Sequence, residues 1–106
     1  MPNIMVSIWF PPTKGIDVAK KAIESRKKFP VDESIAIQLA QGLIGDRQGI
    51  KSITISEVKE GKLEEALTRA GEILRFIAEI EGVTYKIDLM TTPEEAYASV
   101  GMKAPE

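Results

Sequence analysis

Lys86 and Asp88 stand two residues apart in an alternating run from Val83 to Met90. On a β-strand that spacing puts both side chains on one face. In a desolvated space each would favour the charged form of the other, while burial would oppose both. Such a pair could donate and accept a proton or orient an anionic substrate; on a solvated rim it would be an ion pair of little worth. Ser7 and Trp9 share the same spacing near the start of the chain. The indole could form an aromatic platform for a ligand, with its N–H as a donor, or could anchor the packing of one sheet on another. Ser52, Thr54 and Ser56 form a hydroxyl ladder that alternates with Ile53 and Ile55. These hydroxyls could bond a polar ligand, or could simply suit a half-wet strand face. Ser7, Trp9, Thr54, Ser56, Lys86 and Asp88 are the expected ligand-binding set, and no catalytic residue is assigned.

Two absences limit the chemistry. The chain has neither His nor Cys. Thiolate nucleophiles, histidine bases, a Ser–His–Asp triad and the usual zinc sites are therefore excluded. Acidic residues lack calcium-loop spacing, and Thr13-Lys14-Gly15 lacks the glycine spacing of a P-loop. No metal and no cofactor is expected. Lys20, Lys21, Arg26, Lys27 and Lys28 crowd one helix, but Glu24 interrupts them, which fits a solvated face. With 14 basic and 16 acidic residues the net charge is −2, which argues against nucleic acid as a partner. No apolar run reaches the roughly 18 residues of a membrane span. The amino-terminal run shows no secretory pattern, and the lack of Cys makes the cytoplasm the expected location.

Strands and helices must position these residues. In the first strand Ile4, Val6, Ile8 and Phe10 share one face, and Asn3, Met5, Ser7 and Trp9 the other. Pro11-Pro12 ends it. A helix follows over about Lys14 to Phe29, with Thr13 as N-cap and Ile16, Val18, Ala19, Ala22 and Ile23 as its buried stripe. Residues 32–44 fit either a helix or a strand; the turn formers from Gly45 to Gly49 favour a hairpin into the strand Ile50 to Val58. The second helix spans about Lys62 to Glu81, and Gly82 suits a left-handed stop. Its stripe of Leu63, Ala66, Leu67, Ala70, Leu74 and Ile77 is widened by Ile73, Phe76 and Ile80. After the last strand, Thr92-Pro93-Glu94-Glu95 opens a short helix that ends near Gly101, before a polar tail to Glu106.

The order strand, helix, strand, strand, helix, strand predicts a single α+β domain over residues 1–106. It is ferredoxin-like βαββαβ, a four-stranded antiparallel sheet with two helices on one face and a short C-terminal helix. Ile35, Ile37, Leu39, Ile53 and Ile55 are expected beneath the helices. The opposite face is expected to collect Met5, Ser7, Trp9, Ala36, Gln38, Ala40, Ser52, Thr54, Ser56, Val58, Thr84, Lys86, Asp88 and Met90. That face is too apolar for plain solvent and too polar for a dry core. A second sheet from an identical subunit on a two-fold axis would cover it, and a chain of this size gains from such help.

In element order and in this half-polar sheet face, residues 3–90 resemble the dimeric α/β-barrel branch of ferredoxin-like proteins. That branch includes small monooxygenases of the antibiotic-biosynthesis type and stress-responsive barrel proteins. The resemblance implies a homodimer. Its haem-degrading members often rely on His, which this chain lacks. The runs Phe29 to Ser34 and Gly101 to Glu106 look like those of small archaeal proteins and imply no activity. Three functions compete. One is a dimer that binds a small, partly apolar ligand between its two sheets. Another is a cofactor-independent oxygenase or isomerase that uses Lys86 or Asp88. The third is a structural or interaction module that docks on Ile73, Phe76 and Ile80.

Overall fold

A computed structural model describes residues 2–105; Met1 and Glu106, the outermost residues of the expected amino-terminal run and polar tail, lie outside them. The strands are β1 (Asn3–Phe10), β2 (Ala36–Asp46), β3 (Gly49–Val58) and β4 (Thr84–Met90). The helices are α1 (Gly15–Lys28), α2 (Leu63–Ile77) and α3 (Pro93–Ser99). Residues 36–46 are a strand, so the hairpin prevails over the helical alternative. The sheet order is β2-β3-β1-β4 with every neighbouring pair antiparallel. The fold is ferredoxin-like α+β.

The core lies in two separate clusters on the face that carries Ile4 and Phe10. At one end Ile4, Ile35, Val58 and Ala66 pack with Leu63, Leu67 and Ala70. At the other, Phe10, Val18, Ile77 and Val83 pack with Ile8, Ile50, Ile73 and Ile80. Both ends of β3 thus supply core residues, Ile50 and Val58, and these share the parity of Ser52, Thr54 and Ser56. Register agrees: Ile4 lies opposite Ser56, Val6 opposite Thr54, Ile8 opposite Ser52 and Phe10 opposite Ile50. Directly opposed residues of an antiparallel pair share a face.

This register overturns the expected facing of β3. Its hydroxyls turn toward the helices, and Ile53 and Ile55 turn away. Val58, expected on the outer face, is fully buried in the core. Charge supplies the reason. The row that holds Ile53 and Ile55 ends in Lys51 and Glu57. Placing those two ions beneath the helices would cost more than placing three hydroxyls there.

β2 departs from the expected facing as well. Ala36 and Gln38 pair with Val58 and Ser56 on the helix side, and Ile37 pairs with Glu57 on the outer side. A register shift between Gln38 and Ala40 leaves Leu39 as an extra residue, 53% exposed. Beyond this bulge Gln41 and Leu43 return to the helix side, opposite Thr54 and Ser52.

The helix ends also differ from expectation. A 3-10 turn over Pro12–Lys14 precedes α1, so Lys14 rather than Thr13 holds the N-cap position, without a side-chain cap. In α1 only Val18 and Ser25 are buried, while Ile16 and Ile23 are exposed at 72% and 61%. That helix is instead clasped to α2 around Phe76. Phe29 meets the Phe76 ring edge-on at 6.3 Å, and Lys21 and Lys28 lie over it at 4.1 and 4.8 Å. Lys21 also pairs with Glu79 at 3.1 Å. Phe76 therefore packs against α1 and Phe29, and Ile73 and Ile80 join the core. α2 stops at Ile77, before Gly82, whose φ of +89° is left-handed and whose Cβ would lie 3.0 Å from Pro11 Cγ. Thr92 caps α3 as expected by accepting from the Glu95 N–H at 3.2 Å.

The register is testable by stability. Val58→Ala should cost about 2 kcal/mol in urea unfolding. Ser56→Ala, two residues earlier in the same row, should stay within about 0.5 kcal/mol. Equal losses at both positions would contradict the placement of the core.

Candidate functional site

The sheet presents two unlike faces, and the expected site is divided between them. On the outer face β1 places Met5, Ser7 and Trp9 at the centre. β3 flanks them with Ile53 and Ile55, and β4 with Lys86, Asp88 and Met90. Ser7 lies between Ile53 and Lys86 and is 2% exposed. Trp9 is 37% exposed, with the Lys51 ammonium 5.1 Å from its ring centroid. Lys86 Nζ lies 3.2 Å from Asp88 Oδ1, with side-chain exposures of 64% and 33%. Solvent screening at that exposure makes the pair a weak stabiliser. Asn3 Oδ1 is buried on this face with no hydrogen-bond partner among the described residues. The result is an apolar centre bordered by two cations, Lys51 and Lys86, and two anions, Glu57 and Asp88.

On the helix side an open cleft of about 780 Å³ occupies the space between the two core clusters. Its floor is the hydroxyl row of Ser52, Thr54 and Ser56, continued on β2 by Gln38 and Gln41. Val6 and Ile8 extend the floor with apolar surface, and Val18, Ala22 and Ile73 face it from the helices. Ser25 is buried on α1 and donates to the Ala22 carbonyl at 2.7 Å, which keeps its oxygen available as an acceptor. Arg26, Arg69 and Asp32 complete the lining.

These three charged groups are not equivalent. Arg69 donates to the Pro30 carbonyl and so ties α2 to the loop that leads into β2. Asp32 accepts from the Ser34 hydroxyl at 2.5 Å and from the Ser34 N–H at 3.0 Å. Those two bonds hold its carboxyl below the ordinary value of 3.8, with the charges of Arg69 and Lys62 adding to the effect. Among the described residues no ion pair involves Arg26.

Thr54 and Ser56 therefore line the cleft, while Ser7, Trp9, Lys86 and Asp88 stand on the opposite face. The structure brings the last four together but separates them from the hydroxyls by the thickness of the sheet. Gln41, Arg69 and Asp32 join the cleft without having been singled out for a site, whereas Gln38 was expected on the outer face and Arg26 in a solvated basic patch. One sequence signal could have found the division: Ile50 and Val58 share parity with the hydroxyls.

No family model and no curated protein matches the sequence. Solved structures do match in fold. The de novo designed protein Foldit4 aligns with a TM-score of 0.57 at 13% identity, over 86% of this chain and 97% of its own. A protein of Thermotoga maritima described as uncharacterized aligns with a TM-score of 0.54 at 11% identity, over 84% and 96%. A de novo designed protein with a ferredoxin fold aligns with a TM-score of 0.51 at 18% identity, over 86% and 85%. Likeness at such identities is a likeness of fold, and it agrees with the topology above.

The Asp32 turn yields a pH prediction. Because its folded pKa is depressed, the ionised carboxylate stabilises the turn above the unfolded value, and that support is lost as pH falls through the folded value. Ser34→Ala should move the Asp32 midpoint upward, toward 3.8, in a carboxyl-detected NMR titration. An unmoved midpoint would remove Ser34 as the cause.

Proposed function

We propose that the protein is a homodimeric domain that binds a small molecule in the cleft between helices and sheet. One observation carries the binding half of this reading. The middle of the helix-covered face, where a fold of this kind needs apolar packing, holds Ser52, Thr54 and Ser56 beside an open space of about 780 Å³. Ligand pockets commonly measure roughly 300–1,000 Å³ and combine apolar walls with a few convergent polar groups. The cleft has that constitution, and its size suits one small molecule.

A separate observation favours the homodimer. The outer face has an apolar centre of Met5, Trp9, Ile53 and Ile55 within a rim of two cations and two anions. Protein interfaces have this anatomy, with aromatic anchors inside and charges outside. A rim of balanced charge also complements itself, as contact between two copies on a two-fold axis requires. The resemblance of the sequence to dimeric α/β barrels implies the same sheet-to-sheet pairing. Within it Lys86 and Asp88 act at the rim.

A thermal-shift screen of small molecules tests the cleft. Compounds that raise Tm should lose that effect in Ala22→Phe and Thr54→Trp, which fill the space from the helix and from the floor. They should leave Trp9 emission nearly unchanged, because Trp9 lies across the sheet. Compounds that stabilise both filled variants as well as the parent and strongly shift Trp9 emission would place the ligand between sheets instead.

For the dimer, Ile53→Asp should convert a two-chain species into a monomer in sedimentation equilibrium, and Trp9 emission should move to longer wavelength. A parent protein that sediments as a monomer would refute this half of the proposal.

A further inference from the structure

The charge balance of the cleft identifies the class of its ligand. We infer that it takes amphipathic monocarboxylates that carry an oxygen function on an otherwise apolar body. This inference rests on the reading of the cleft as a binding site.

Two arginines and one aspartate line the space. Arg69 already donates to the Pro30 carbonyl, and its charge acts on the Asp32 carboxylate. Arg26 has no ion-pair partner among the described residues. The lining therefore carries one uncommitted positive charge. A guanidinium presents a planar fork of donors that matches a carboxylate in two parallel bonds. A dianionic head such as a phosphate monoester would face Asp32, held ionised by Ser34, with a single free cation to balance it. One negative charge fits this balance best.

The remaining surface specifies the body. Val6, Ile8, Val18, Ala22 and Ile73 offer apolar contact. Thr54 and Ser56 form a polar strip along the floor, which would be costly to cover with a purely apolar molecule. A ligand with a hydroxyl or carbonyl on its body would satisfy that strip and leave the rest to apolar contact.

Three probes below their micellar concentrations test this: ω-hydroxydecanoate, decanoate and decanol. Titration calorimetry should rank them in that order. Arg26→Gln should weaken both acids about tenfold, a loss of ~1.4 kcal/mol, and leave decanol unchanged. The pair Thr54→Val and Ser56→Ala should reduce ω-hydroxydecanoate to the affinity of decanoate. Shifts of the Ala22 and Thr54 amide resonances on titration locate the binding. Decanol binding as tightly as decanoate, or an Arg26→Gln loss equal for all three probes, would overturn the carboxylate class and leave the cleft as a site. Binding that bypasses Ala22 and Thr54, and persists in Ala22→Phe, would overturn the cleft reading itself.

Discussion

Two ions fix which way β3 faces. Lys51 and Glu57 bracket Ile53 and Ile55 in one row of the strand, and Ile50 and Val58 bracket three hydroxyls in the other. Only one row can lie beneath the helices. Desolvating two separated charges costs several kilocalories per mole each, whereas a hydroxyl costs far less and can keep some water. The row with apolar ends goes in, although its middle is polar. Both the split core and the cleft follow from that choice.

A continuous apolar row would have allowed α1 and α2 to settle evenly on the sheet. Instead the core gathers at the two ends of β1 and β3, around Val58 and around Phe10. The Phe10–Pro11 corner is packed tightly enough to require glycine on two sides. A Cβ on Gly49, at a φ of +134°, would lie 2.7 Å from the Phe10 carbonyl oxygen, and Gly82 abuts the Pro11 ring. α1 contributes little to this core and leaves Ile16 and Ile23 exposed. Its hold on the rest of the molecule comes from the Phe76 clasp, where Phe29, Lys21 and Lys28 converge. A helix pinned at its end and loosely seated elsewhere can border an open cleft without collapsing into it.

The same choice gives the outer face an apolar centre. Ile53 and Ile55 join Met5 and Trp9 there, so the centre of that face is greasier than the hydroxyl row would have made it. Under the proposed function the two faces divide two tasks, association on one side and ligand binding on the other. A four-stranded sheet can do both because it is one residue thick, and neighbouring residues on each strand serve opposite sides.

Much of the fold was legible from local pattern. The element order, the end of β1 at Pro11, the turn before Gly49 and the Thr92 capping box all rest on interactions within a few residues. The facing of β1 and β4 was legible too, since each has one row that is apolar throughout. The site was less legible. For β3 alternation alone favoured the isoleucines as core, and the decision depended on Lys51 and Glu57, whose cost appears only when a helix layer lies above them. For β2 a single extra residue at Leu39 changes the parity of everything after it, and a bulge depends on the partner strand's register. Apart from residues 32–44, which fit a strand or a helix, sequence by itself thus determined which segments are strands and helices and in what order they join, because turn chemistry and periodicity are local. Only the tertiary structure decided which face of the sheet each hydroxyl, amide and ion would serve, because burial is a property of the assembled layers.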